Sequence, residues 1–239
     1  MPLPKIATPV YELELPSTGD TIQYRPFLVK EEKVLVIALE SEDTKQITTA
    51  IKNVIKNCIQ TKGIKVENLP TFDIEFLFLN IRGKSVGEEI EVNITCPDDG
   101  VTEVKQTINL DDIQVQKNDE HTNHIKIDDS IMMEMKYPSL DQFIKNNFNF
   151  DEKNAMDQSF DLIGTCIDKI YTEDEVWATE DCSKKEITDF LEQMNSSQFK
   201  EIEKFFETMP KLSHTIKVKN PNTKVVSDVV VEGLAGFFA

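Results

Sequence analysis

Residues 72–81, FDIEFLFLNI, constrain the fold more than any other stretch of the chain. Pro70 and Thr71 open a helix here. Phe72, Ile74, Phe76, Leu77, Phe78, Leu79 and Ile81 then point in nearly every direction around its axis. A helix without a polar face must be central to a core or lie in an interface. Everything read around it is therefore read as its covering.

The neighbouring segments supply such a covering. Before it, Ile47, Ala50, Ile51, Val54, Ile55, Cys58 and Ile59 recur three and four apart, so 44–61 is an amphipathic helix. Asp43 and Gln46 cap its start and Gly63 stops it. After it the period changes to two: Ile90, Val92 and Ile94 alternate with polar residues, and a Cys-Pro-Asp-Asp-Gly turn at 96–100 closes a β-hairpin that runs on to Ile108. Residues 1–39 read as short strands around a turn at Pro16–Asp20, although VLVIALES (34–41) fits strand or helix equally. Gln116–His124 is a polar loop, and 125–127 and 131–137 are further strand candidates.

From Ser139 on the pattern reads as helical. Residues 151–170 place Leu162, Ile163, Cys166, Ile167 and Ile170 on one side, and an acidic loop, YTEDEVWATED, follows. Ser183 and Glu186 form a capping box ahead of Ile187, Phe190 and Leu191. A last helix carries Phe199, Ile202, Phe205 and Phe206 up to Pro210, and a hairpin over 214–234 ends the pattern. The 239 residues are enough to bury a sizeable core. The expectation is an α+β protein: an N-terminal β element, amphipathic helices, two β-hairpin units, and a helical C-terminal half closed by a hairpin. The expected division is a β-rich α+β region over 1–138 and a helical region over 139–239, unless the two form one continuous domain.

The two hairpin units can be aligned. With Pro97 set against Pro221, Val92 falls on Ile216, Ile94 on Val218 and Leu110 on Leu234, and each unit reads helix, strand, Pro turn, strand. This is either a diverged internal duplication or two ordinary helix-plus-hairpin pieces.

Charge narrows the function classes. The formal net charge is −17, from 43 acidic against 26 basic residues. A field of that sign repels phosphate backbones, which argues against nucleic-acid binding on a broad basic face. No apolar run approaches the ~20 residues that cross a bilayer, so no membrane insertion is expected, and the N-terminus has no secretory pattern. Cys58, Cys96, Cys166 and Cys182 form no CxxC pair and read as reduced, mostly buried thiols of a cytosolic protein.

Candidate chemistry is sparse. ITCPDDG (94–100) opens like a zinc-ribbon knuckle, but Asp99 stands where the second thiolate belongs. A ligand set of Cys96, Asp99, His121 and His124 can be written down, yet Pro97–Gly100 needs no metal to turn, and the turn is the favoured reading. The Asp pairs at 98–99, 111–112 and 128–129 sit in turns, where carboxylates are usually solvated. There is no nucleophile elbow, P-loop or GxGxxG. No catalytic residue and no cofactor is expected. Apolar excess points instead to protein contacts through Trp177, Phe205, Phe206, Phe237 and Phe238, some of which should be exposed.

Four stretches taken together, YRPFLVKEEKVLVIALES (24–41), IRGKSVGEEIEVNITCPDDG (81–100), KFFETMPKLSHTIKVKNP (204–221) and VVVEGLAGFF (229–238), resemble the T4-type bacteriophage baseplate protein family, baseplate hub or hub-assembly proteins of contractile-tailed phages. The resemblance implies a non-enzymatic part in building the baseplate hub, with other hub proteins or the tape-measure protein as partners. It implies a place in the virion tail baseplate, and in the host cytoplasm during assembly. The alternatives are a transient assembly chaperone absent from the mature virion and, from another class, a metal-dependent hydrolase using Cys96, His121, His124 and nearby Asp residues.

Overall fold

The computed structural model of the chain describes residues 6–41, 43–140 and 155–233. Strands β1 (Tyr11–Glu14) and β2 (Thr21–Tyr24) pair antiparallel across the turn read at Pro16–Asp20. The stretch that fitted strand or helix is a helix, α1 (Val29–Glu40), so the reading of short strands up to residue 39 ends at Leu28. Glu31 supplies a local reason. Its carboxylate accepts from the Leu28 amide at 2.8 Å and pairs with Arg25 at 3.1 Å, which satisfies an orphan donor of the first helical turn. Helix α2 (Thr44–Cys58) starts on Asp43, whose side chain accepts from the Lys45 and Gln46 amides.

Helix α3 (Thr71–Val86) is central, as its sequence requires: Phe72, Ile74, Leu77, Phe78, Leu79 and Ile81 are all buried. So is Asp73, a charge that needs partners at that depth. The Ser17 amide donates to it at 3.1 Å, and the Ser17 hydroxyl donates to its other oxygen. Then come the hairpin β3 (Glu89–Thr95) and β4 (Glu103–Asn109), and the short strands β5 (Gln114–Gln116), β6 (His124–Lys126) and β7 (Met132–Met135).

The C-terminal half is less helical than its spacing suggests. Helix α4 (Ala155–Cys166) stops where the sequence pattern runs on to residue 170, and the chain continues as strand β8 (Ile167–Tyr171). A register irregularity at Glu134/Met135 pairs Ile167 with Met135 and Ile170 with Met133. The bulge lets two residues three apart share one face of a strand, which period alone reads as helix. The acidic segment is not simply a loop between helices either, since it contains strand β9 (Val176–Ala178). Helix α5 (Lys184–Glu192) has the expected Ser183–Glu186 capping box, α6 (Ser196–Thr208) starts on Asn195, and β10 (Lys211–Lys219) and β11 (Val226–Glu232) form the last hairpin. The architecture is α+β, with six α-helices and eleven strands among the described residues. The sheets are small and antiparallel: β1–β2, β3–β4, β11–β10–β5 and β6–β7–β8–β9.

The chain divides into two compact units. The first takes the chain up to Val66, Phe72–Gln116 and the chain from Lys211; the second takes Glu67–Thr71 and Lys117–Pro210. The division expected after residue 138 thus falls inside the second unit, and the terminal hairpin belongs with the first. In the first unit Leu79 of α3 packs with Ile90, Val92, Ile94 and Ile108 of one hairpin and with Leu212, Val218 and Val231 of the other. In the second unit Met133, Ile163, Cys166, Ile167, Ile202 and Phe205 form a separate core.

The two hairpins are built alike. In one tip the Gly100 amide donates to Cys96 C=O at 2.9 Å, and in the other Lys224 donates to Asn220 C=O at 3.0 Å. Both donors have φ of 68°. The second tip is one residue shorter, with loops of 96–102 and 220–225 between the paired ends. Leu110 therefore corresponds in register to Gly233, not to Leu234, which lies outside the described residues. Helix α3 shares a unit with both hairpins, whereas α6 belongs to the other unit. The hairpin is repeated; the helix-plus-hairpin piece is not repeated within one compact unit.

Two substitutions test this packing. Leu77→Ala, at a fully buried site on α3, is expected to cost about 2–5 kcal/mol in urea unfolding of the full chain. Gly100→Ala is expected to cost about 1 kcal/mol, because a Cβ there meets nothing within 4 Å and only the left-handed backbone resists it.

Candidate functional site

The Cys-Pro-Asp-Asp-Gly turn is held by side chains that require no metal. Asp99 accepts from the Val101 and Thr102 amides at 3.1 and 3.0 Å and from the Thr102 hydroxyl. Its neighbour Asp98 reaches the other hairpin. The Asn220 side-chain amide donates to Asp98 at 3.0 Å and to Asp99 at 2.8 Å, and the Thr223 hydroxyl donates to Asp98. Asn222 donates to the Thr102 hydroxyl at 3.0 Å. The two tips are thereby latched together. Asn220 itself is buried, and its carbonyl oxygen accepts from the Asn222 and Thr223 amides.

These bonds set the protonation states. The Thr102 hydroxyl and amide, then Asn220 and Val101, hold Asp99 well below the usual carboxylate range. Thr223 and Asn220 lower Asp98. Burial pushes the Cys96 thiol up, and the two carboxylates push in the same direction, so in the metal-free chain it is a protonated thiol at neutral pH.

The histidines of the conceivable ligand set lie in the second unit. His121 is engaged through both ring nitrogens, with the Thr208 hydroxyl at 2.9 Å and the Tyr137 hydroxyl at 3.0 Å. Its ring forms a triangle with those of Tyr137 and Phe205, whose centroids lie 5.6 and 5.2 Å away and 5.7 Å from each other. Burial lowers its pKa and keeps it neutral near pH 7. His124 is exposed and meets the Asn123 side chain at 2.8 Å. Among the described residues no three His, Cys, Asp or Glu side chains gather where they could hold a metal. The remaining Asp pairs are occupied locally: Asp128 caps the Ser130 and Ile131 amides, Asp129 pairs with Lys126 at 2.8 Å, and Asp111 and Asp112 lie exposed on a short 3₁₀ turn.

The apolar candidates separate by place. Phe205 is 2% exposed, enclosed by His121, Tyr137 and Phe206, and it is a core residue of its unit. Phe206 is half-buried against the same core. Phe237 and Phe238 lie outside the described residues. Trp177 is different, at 42% exposure on β9, beside Val176 at 67%. Among the described residues β9 is the last strand of its sheet and pairs only with β8. Five exposed carboxylates flank it: Glu173, Asp174 and Glu175 before it, Glu180 and Asp181 after it. The sequence reading missed a second apolar surface on α1, where Val29, Val34, Val36, Ile37 and Leu39 are all exposed. The signal was the VLVIAL run itself, once the helical frame is known.

A family model described as T4 bacteriophage base plate protein matches residues 8–239. The chain belongs to that family. Its place is therefore the tail baseplate of a phage virion, and its neighbours are other baseplate proteins. No curated protein and no solved structure matches the chain.

The latch predicts a pH signature. Carboxylates with depressed folded pKa values stabilise above their unfolded value of about 4, and that stabilisation is lost as pH falls through the folded values. Asn220→Ala is therefore expected to lower the thermal midpoint at pH 7, with the gap to the unsubstituted protein narrowing as pH drops below ~4. Calorimetry across that range checks it; a gap independent of pH would mean the carboxylates are not part of the latch.

Proposed function

We propose that this chain is a non-enzymatic structural subunit of the baseplate hub, working through contacts with other hub proteins or the tape-measure protein. It is made in the host cytoplasm and retained in the finished tail. Family membership supports the baseplate setting. The observation that carries the contact role is the exposed Trp177–Val176 pair on the last strand of its sheet among the described residues, flanked in sequence by five exposed carboxylates. An aromatic anchor beside unpaired strand edge is the kind of surface on which an extended, basic segment of a neighbour docks. The hydrolase reading finds less support, because the Asp99 and Asp128 carboxylates cap their own turns and no three His, Cys, Asp or Glu side chains gather for a metal among the described residues.

Quantitative mass spectrometry of purified mature virions tests retention. A fixed small number of copies per particle is expected. Absence from virions, with presence in infected-cell lysate, would replace the subunit reading with a departing chaperone. Stoichiometric zinc in the purified protein would reopen the hydrolase. Trp177→Ala is expected to lower incorporation into particles by about tenfold or more while leaving the fold intact by circular dichroism. Unchanged incorporation would remove Trp177 from the interface.

A further inference from the structure

Helix α1 buries only Glu31, Leu35 and Ala38, one narrow stripe. The rest of its surface is aliphatic to a degree that solvated helices avoid: Val29 is 80% exposed, Ile37 56%, Leu39 49%, Val36 47% and Val34 46%. On helical geometry Val29, Lys33, Val36 and Glu40 form one outward row, and Lys30, Val34 and Ile37 the row beside it. A helix this apolar on its outer side is one half of a packed pair.

We propose that the other half is α1 of a second copy of this chain, packed antiparallel about a two-fold axis between Val36 and Ile37. The charges choose both occupant and direction. The chain as a whole carries −17, so two copies repel over most of their surface. On α1 the exposed charges balance, with Lys30 and Lys33 against Glu32 and Glu40, and the fifth charge, Glu31, is buried and pairs with Arg25 at 3.1 Å and with Lys30 at 3.3 Å. This is a face on which two acidic copies meet without local repulsion. A strongly basic partner has no reason to prefer it. Direction follows from position. A parallel pair sets Lys33 against Lys33 and Glu40 against Glu40. An antiparallel pair about the stated axis sets Lys33 against Glu40 twice, both in the outward row, and brings Val36 to Val36 and Ile37 to Ile37 across the axis. Such an arrangement is isologous, so it closes at two copies.

Sedimentation velocity of the purified full chain over a concentration series tests this. A reversible species of twice the 27.3 kDa chain mass is expected. Ile37→Asp, a surface change that should leave the circular dichroism unaltered, enters a two-fold interface twice and should raise Kd by about tenfold or more. Lys33→Glu should weaken the dimer, and Lys33→Glu combined with Glu40→Lys should restore it. A monomer at every concentration would overturn the proposal, as would a dimer indifferent to Ile37→Asp. A dimer weakened by both single changes but not rescued by the swap would overturn the antiparallel pairing.

Discussion

The first unit depends on the burial of α3 from every side. No single neighbour can cover a helix with Phe72, Ile74, Leu77, Phe78 and Ile81 spread around its axis. The demand recruits segments far apart in the chain, because helices and strands adjacent in sequence cover only one flank. Leu79 is met by the hairpin that directly follows the helix and also by Leu212, Val218 and Val231 of a hairpin that the chain forms only at its end. The N-terminal turn is recruited differently, since a buried carboxylate at Asp73 requires donors and the Ser17 amide and hydroxyl provide them. The chain therefore leaves the first unit after Gln116 and re-enters it at Lys211.

The twin hairpins show how such a return is fixed in register. Both tips place a left-handed residue at the same step of the turn, Gly100 in one and Lys224 in the other, with equivalent amide-to-carbonyl bonds. Glycine accepts that backbone freely and lysine does not. The shared geometry is thus imposed by the turn rather than by a common residue. What differs is the chemistry at the first position of the tip. Cys96 is a buried, protonated thiol, and Asn220 is a buried amide whose side chain ties down the two aspartates opposite. The likeness to a zinc knuckle came from the Cys-Pro-x-x-Gly shape, which the second tip reproduces with no cysteine at all.

Elements dominated by local signals were legible in the sequence. The Asp43 and Ser183 caps, the apolar α3 and the period-two strand β3 needed no knowledge of distant partners. Where a distant partner decides, the sequence misled. Ile167 and Ile170 sit at helical spacing, and only pairing with β7, thirty-odd residues earlier, with Asp168 bulged out of β8, turns them into a strand with one inward face. Phe205 and Trp177 are both large aromatics in polar surroundings. One is enclosed by His121 and Tyr137 and the other is exposed on a sheet edge, a difference set by tertiary neighbours that composition does not carry. The α1 surface stayed hidden for a simpler reason: without the helical frame, VLVIAL is an apolar run with no outward side.

Two polar clusters and two apolar surfaces of this chain have opposite fates. The carboxylates at 98–99 and 128–129 and the rings of His121 and Tyr137 are committed to turns, latches and stacking within their own unit. The aliphatic side chains of α1 and the Trp177 edge are not committed, although burying them would be favourable by roughly 25 cal/mol for each Å² removed from water. Where apolar side chains remain outward on such surfaces, the remaining binding free energy lies there. The two also differ in charge, one balanced and one acidic, and so suit different neighbours. Surfaces that differ in this way let one chain contact unlike partners without the sites competing.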